Sequence, residues 1–271
     1  QGMGLLQRIV NEAREKYNQL NIQLTIFDTR YKAEVPDLTY DIYISSGGPG
    51  SPFDGIHSLW EKKYFHLMES IWENNLQENR SRKFVFFICH SFQLMCRVFN
   101  LAEVRKRNFR SFGILPVVKT EEGMIDPLFQ PLPEVFYAAD FREFEVVSPN
   151  MKRLNELGGK ILALESERID PSWERALMAI RLSDEIVGTQ FHPEADPESM
   201  KYHFQHPERK EQVVKEYGIS KYEEMLELLE NPEPLLLTQR TILPGFLNQA
   251  IQALTNSVEI QSKLENEKLR L

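Results

Sequence analysis

Cysteine is scarce: only Cys89 and Cys96 occur in 271 residues. A disulfide framework needs more, and both lie in one apolar stretch. A reducing, cytoplasmic setting is therefore expected. Long apolar runs are missing too. No stretch reaches the roughly 20 residues of a membrane span, and no signal-peptide pattern is read at the start. Basic charge is in deficit, with 32 Lys and Arg against 40 Asp and Glu, a net charge of -8. That diffuse acidic balance argues against nucleic acid or an anionic membrane as the main partner. Internal repeats and low-complexity tracts are also absent.

What is present is an ordinary globular composition, 42% hydrophobic and 27% charged. A chain of this size builds a core without disulfides or metal. Leu5, Leu6, Ile9, Val10 and Tyr17 carry helical spacing, so residues from Leu5 to Leu20 are expected to form a helix. An α/β fold usually opens with a strand, so a first strand is expected before Gln1. Ile22 to Asp28 alternates as a strand does, and Tyr40 to Ser45 is a short β-rich run ending in the turn Ser46-Gly47-Gly48-Pro49-Gly50. Trp60 to Asn74 reads as a helix. Phe84-Val85-Phe86-Phe87-Ile88 is continuously apolar, as in a strand buried on both faces.

Cys89 follows that run at once, and His90 to Asn100 has a helical pattern. Further strands are expected at Phe112–Val118, Val135–Ala139, Phe144–Val147, Ile161–Leu164, Ala176–Arg181 and Ile186–Phe191, the last two joined by Ser183-Asp184-Glu185. Beyond Asp196 the chain reads as helical, with breaks near Pro207, Gly218, Pro232–Pro234 and Pro244–Gly245. The pattern predicts an α/β fold in three layers: a mostly parallel central sheet with helices on both faces, and a helical C-terminal extension. Residues 1–207 form the expected main domain and 208–271 the extension.

Three segments end strands in this reading, which is where active residues of such sheets gather. Cys89 sits where a strand turns into a helix, and the helix dipole there favours a thiolate; a buried, inert cysteine is the alternative. Cys96 reads as core. His192 and Glu194 flank Pro193, so a carboxylate can hold one imidazole nitrogen while the other takes a proton from a thiol. Gly47-Gly48 can donate a backbone N–H to an oxyanion, cradle a phosphate, or form a tight turn only. No Lys-Ser/Thr pair completes a P-loop.

Together, Gly47-Gly48-Pro49, the cysteine elbow and Gln190-Phe191-His192-Pro193-Glu194 resemble the class I glutamine amidotransferases, whose fold is flavodoxin-like. The resemblance runs from about Leu24 to Pro197. Around Ser111–Pro116 and Asp126–Phe129 the chain is similar to stand-alone, GMP synthase-like members. The resemblance implies Cys89 as nucleophile, His192 as base and Glu194 as its orienting acid. It implies an oxyanion hole from Gly48 and the N–H of His90, and substrate contacts from Gln93, Gly47 and Ser91. Neither metal nor cofactor is required. The implied substrate is glutamine or a related amide, with ammonia passing to a separate synthetase subunit; a homodimer is the other partner expectation.

Two departures from the family pattern stand out. The elbow reads Phe87-Ile88-Cys89-His90-Ser91 and lacks both usual glycines. It resembles the elbow of succinyltransferase-type homoserine acyltransferases, so a cysteine acyltransferase or γ-glutamyl hydrolase is an alternative, and a non-catalytic binding or regulatory module is another. The Ser-His pair that many members place near Ala138–Glu143 is replaced, leaving Asp140 or Arg142 to touch substrate, or a solvated loop. In the extension, Glu224, Glu227, Glu230 and the Lys/Glu-rich end mark an exposed face. Leu235–Leu237, Phe246, Leu247, Ile251 and Leu254 form an apolar stripe that packs on the domain itself or on a partner.

Overall fold

The computed structural model describes residues 2–166, 170 and 172–268. In chain order the elements are α1 (Gly2–Lys16), α2 (Thr29–Lys32), β1 (Ile42–Ser45), α3 (Leu59–Asn75), β2 (Phe84–Ile88), α4 (His90–Val98), β3 (Ala102–Lys119), α5 (Glu121–Ile125), β4 (Val135–Pro149), α6 (Met151–Leu157), β5 (Lys160–Glu165), β6 (Leu177–Arg181), β7 (Ile186–Thr189), α7 (Pro197–Gln205), α8 (Pro207–Tyr217), α9 (Ile219–Glu230) and α10 (Glu233–Lys268).

Seven strands form one sheet in the order β1-β2-β7-β6-β5-β3-β4. A mostly parallel sheet was expected; the parallel ladder runs through β1, β2 and β7, and the other four adjacencies are antiparallel, so the sheet is mixed. The antiparallel half follows from short connections: the turn at Ser183–Glu185 can join only antiparallel neighbours, whereas β1 to β2 is crossed by the helix α3.

β2 shows why helices cover both faces. Its residues alternate between two cores. Phe84, Phe86 and Ile88 pack with Leu6, Ile9 and Val10 of α1 and with Ile242, Leu243, Phe246 and Ile251 of α10. Val85 and Phe87 pack with Tyr64, Met68 and Ile71 of α3 and with Phe92, Met95 and Cys96 of α4. Each such side chain contributes about 1.5–3 kcal/mol on burial. A third core joins β3 and β4 to α7–α9 through Ile114, Ala139, Phe204, Tyr222 and Met225.

The apolar stripe of the C-terminal segment is thus covered by the chain's own sheet and α1. Glu224, Glu227 and Glu230 are exposed as the pattern predicts. The Lys/Glu-rich end belongs to side chains outside the described ones.

Three expectations are corrected. Ile22–Asp28 is not a strand: only Ile22 packs on a core, while Leu24 and Ile26 are 41% and 48% exposed. Alternation alone makes no strand without a neighbour to pair its backbone. Pro244–Gly245 does not break α10, which continues through it. The turns around it are fixed by burial of Leu243, Phe246 and Leu247, and packing outweighs the missing N–H. The two strands expected in 135–147 are one long strand, β4. Among the described residues no helix is long and apolar enough to cross a membrane.

Candidate active site

Register in the parallel half brings three distant segments to one edge. Ser45 pairs with Phe87, and Ile88 pairs with Thr189. The residues just beyond these pairs are Gly47, Cys89 and His192, so all three leave the sheet at adjacent carboxyl ends. Packing there is close. A Cβ built on Gly47 would lie 2.9 Å from His192 Cε1 and 3.3 Å from Cys89 Cβ. Only glycine lets the loop backbone approach both side chains at that distance.

Cys89 is the N-cap of α4 and has φ +52° and ψ -104°. A non-glycine residue there is strained by about 1–3 kcal/mol, and such strain gathers at functional sites. The surroundings hold the turn. The Cys89 N–H donates to Thr189 O at 2.8 Å, and Gln93 N–H donates to Cys89 O at 3.1 Å. Ser91 Oγ accepts the Ile88 N–H at 2.8 Å and donates to Ser45 O at 2.5 Å. Ser91 therefore ties the elbow to β1.

His192 Nδ1 lies 2.9 Å from Glu194 Oε1, and the ring shares the Gly47 surface with Cys89. Its backbone is pinned to β4, His192 N–H donating to Ala139 O at 2.9 Å. Burial pulls its pKa down. The negative charge of Cys89, then that of Glu194, and hydrogen bonds to both outweigh this, so the ring titrates well above an ordinary histidine. Glu194 is buried, and its Oε2 has no hydrogen-bond partner. Cys96, by contrast, is fully buried in the core and its thiol pKa is pushed far up by desolvation.

Gln93 is buried, and its amide donates to Gln190 Oε1 at 3.1 Å and to Phe144 O at 3.3 Å. Gln190 in turn directs Nε2 at Cys89 Sγ, 3.7 Å away. Gln190 was not foreseen as a neighbour of the cysteine. The signal was there: residues two apart in an extended segment share a side, and Gln190 precedes His192 by two. His90 turns its buried side chain to the glycine loop, with Nε2 3.3 Å from Ser51 O. Burial, followed by the Arg30 and Arg97 charges, keeps this histidine's pKa below the usual range. Gly48 lies beside Arg30, which donates to Pro49 O.

Asp140 and Arg142 are not on a solvated loop. They are buried in β4, 3.4 Å apart, and Arg142 also reaches Glu165 Oε1 at 2.9 Å and Met178 Sδ at 2.7 Å. Desolvation raises the Asp140 pKa against the pull of Arg142. Asp140 Oδ1 and Arg142 Nε lack partners.

This arrangement suits attack on a carbonyl: a sulfur and an imidazole flanking one glycine backbone, with the ring held by a carboxylate. A family model described as glutamine amidotransferase class-I matches residues 5–208. No curated protein sequence matches the chain. Among solved structures, the fold is similar to a glutamine amidotransferase from Thermotoga maritima, at 18% identity and a TM-score of 0.62 over 91% of each chain. It is similar to a glutamine amido transferase from Methylobacillus flagellatus, at 14% identity and a TM-score of 0.54 over 76% of this chain and 74% of that one. A third similar structure is the glutaminase domain of a Trypanosoma brucei CTPS with bound acivicin, at 14% identity and a TM-score of 0.52 over 70% of this chain and 79% of that one. With the family model spanning the glycine loop, the cysteine elbow and the His192 segment alike, the chain belongs to the class-I glutamine amidotransferase family.

Proposed function

We propose that the protein hydrolyses the side-chain amide of glutamine through a thioester on Cys89. The observation that carries this reading is the convergence of Cys89 and the Glu194-bonded His192 on the Gly47 backbone. The Cys89 thiolate attacks the carboxamide carbon, and the carbonyl electrons move to oxygen. N–H groups of Gly48 and His90 receive that oxyanion, each contributing about 3 kcal/mol to the barrier reduction. His192, having taken the thiol proton as base, gives it to the departing nitrogen, and ammonia leaves. The neutral ring then takes a proton from water, whose oxygen attacks the thioester and frees glutamate. Glu194 keeps the ring oriented and stabilises its charge throughout.

Gln190 and Gln93 hold the cysteine side of the site. The ammonia is available to a separate synthetase subunit. Glutamate release from glutamine by the wild type, by Cys89→Ala and by His192→Ala tests the hydrolytic part. The wild type is expected to release glutamate and both variants to fall by at least about 1,000-fold. A stimulation of turnover on adding a partner tests the ammonia transfer separately. Wild type that releases no glutamate, alone or with a synthetase partner, overturns the reading.

A further inference from the structure

The glycine loop is gripped from outside by one cation. Arg30 Nη1 donates to Pro49 O, and its guanidinium lies over Trp60, 5.7 Å from the ring centroid. Its Nη2 is 3.9 Å from Asp54 Oδ2, which accepts the Ser51 N–H at 2.8 Å. A Cβ at Gly48 would lie 3.2 Å from Arg30 Nη1, while one at Gly47 would lie 3.3 Å from Cys89 Cβ. The cation thus meets the loop at Gly48, one residue along from the glycine that packs on Cys89.

Two further observations separate this charge from ordinary surface arginine. Its carboxylate neighbour Asp54 is 55% exposed and beyond hydrogen-bond distance, so water screens that pairing. The other cation on the loop, Arg97, donates to Pro52 O but is spent on the buried Glu61. Of these two arginines, Arg30 has no buried carboxylate partner, and 27% of its side chain is exposed, leaving donors of its five-donor fork open to solvent.

We propose that Arg30 is a specificity-determining residue: it fixes the glycine loop and binds a carboxylate on the substrate. This rests on Cys89 as nucleophile and narrows the substrate to an amide whose chain also carries a carboxylate. Glutamine meets that description, and a simple alkyl amide does not. A guanidinium fork suits a carboxylate in two-point contact, which lysine cannot reproduce.

The test uses alkylation of Cys89 in the full chain by anionic iodoacetate and neutral iodoacetamide, followed on the Cys89 peptide by mass spectrometry. Arg30→Gln is expected to slow iodoacetate by about 10-fold while iodoacetamide stays within about twofold, because only the anion feels the lost charge. Arg30→Lys is expected to fall between, keeping charge without the fork. Rising salt should erode the wild-type preference for iodoacetate. Equal slowing of both reagents would reduce Arg30 to a loop clamp and overturn the proposal, as would an unchanged ratio. If Arg30→Gln does not fold, Arg30→Lys and the salt series decide, and a salt-independent ratio overturns the proposal. Because glutamine turnover is not the readout, wild type with an Arg30-dependent iodoacetate preference and no glutaminase activity would sink the glutamine reading and leave this one standing.

Discussion

Phe87 and Gly188 face each other across the β2–β7 ladder, and the side chain that Gly188 lacks leaves room for Phe87 Cβ and for the Phe92 ring. A Cβ at 188 would lie 3.1 Å from Phe87 Cβ, 2.8 Å from Phe92 Cδ2 and 3.3 Å from Met95 Cε. The elbow has lost its glycine two places before the cysteine, and the neighbouring strand supplies the missing space. Ser91 covers the other loss, because its hydroxyl bonds Ile88 and Ser45 where a bare glycine would leave the turn unbraced. The altered elbow is packed and hydrogen-bonded. Phe87 by itself therefore gives no reason to prefer an acyl donor over an amide.

Gly188→Ala tests this compensation. The added methyl overpacks the space between β2 and α4, and a loss of about 1–3 kcal/mol in urea unfolding is expected. Phe92→Ala in the same chain removes the nearest atom and should make the second change cheaper, giving a coupling of at least about 0.5 kcal/mol between the sites. Strict additivity would show that the two positions do not share space.

Gly47→Ala probes the contact of the loop with Cys89 and His192. Its methyl would lie 2.9 Å from His192 Cε1, so the ring or the loop must shift by several tenths of an ångström. We expect kcat for glutamine hydrolysis to drop about 100-fold, since small displacements at a reacting centre are costly. Stability should change by less than about 1 kcal/mol, because Gly47 lies on a half-buried loop beyond the strand ends. Normal kcat would contradict the placement of Gly47 against both side chains.

The pH profile follows from His192. Its folded-state pKa is raised, so its contribution to stability is complete below the ordinary histidine value of about 6.5 and fades as pH rises through the folded value. The protonated ring needed to release ammonia is lost over the same rise. Glu194→Gln removes one of the two anions that raise the ring, so the alkaline limb of kcat/KM should move to lower pH. Stability should then begin to fall at lower pH as well. Profiles of kcat/KM and melting temperature across neutral and alkaline pH check this. An alkaline limb unmoved by Glu194→Gln would separate the carboxylate from the titration.

Much of the parallel half of the sheet was legible because its signals are local and strong. The unbroken apolar run Phe84–Ile88 announces a strand buried on both faces, and the turn residues after Ser45 and Ile88 mark where chemistry leaves it. Ile22–Asp28 misled because alternation reports a possible face and says nothing of a pairing partner. Pro244 misled for the opposite reason: tertiary burial on both sides of it overrides a local breaker. Short helices such as α5 and α6 hold fewer than two turns, too little periodicity to read from sequence. Gly188 and Arg30 could not be foreseen, since their roles arise from contacts across strands and loops remote in sequence. The Asp140–Arg142 pair was flagged by its position, but its burial against Glu165 and Met178 depends on how β4 lies beside β6.

The central claim is a covalent intermediate on one sulfur. Wild type mixed with excess glutamine and quenched in acid within one turnover should show a peptide around Cys89 heavier by one glutamyl group, at a hydroxylamine-sensitive bond. Cys89→Ala should show none, and Cys96 should stay unmodified. Glutamate release without any such adduct, or an adduct carried by another residue, would contradict the account.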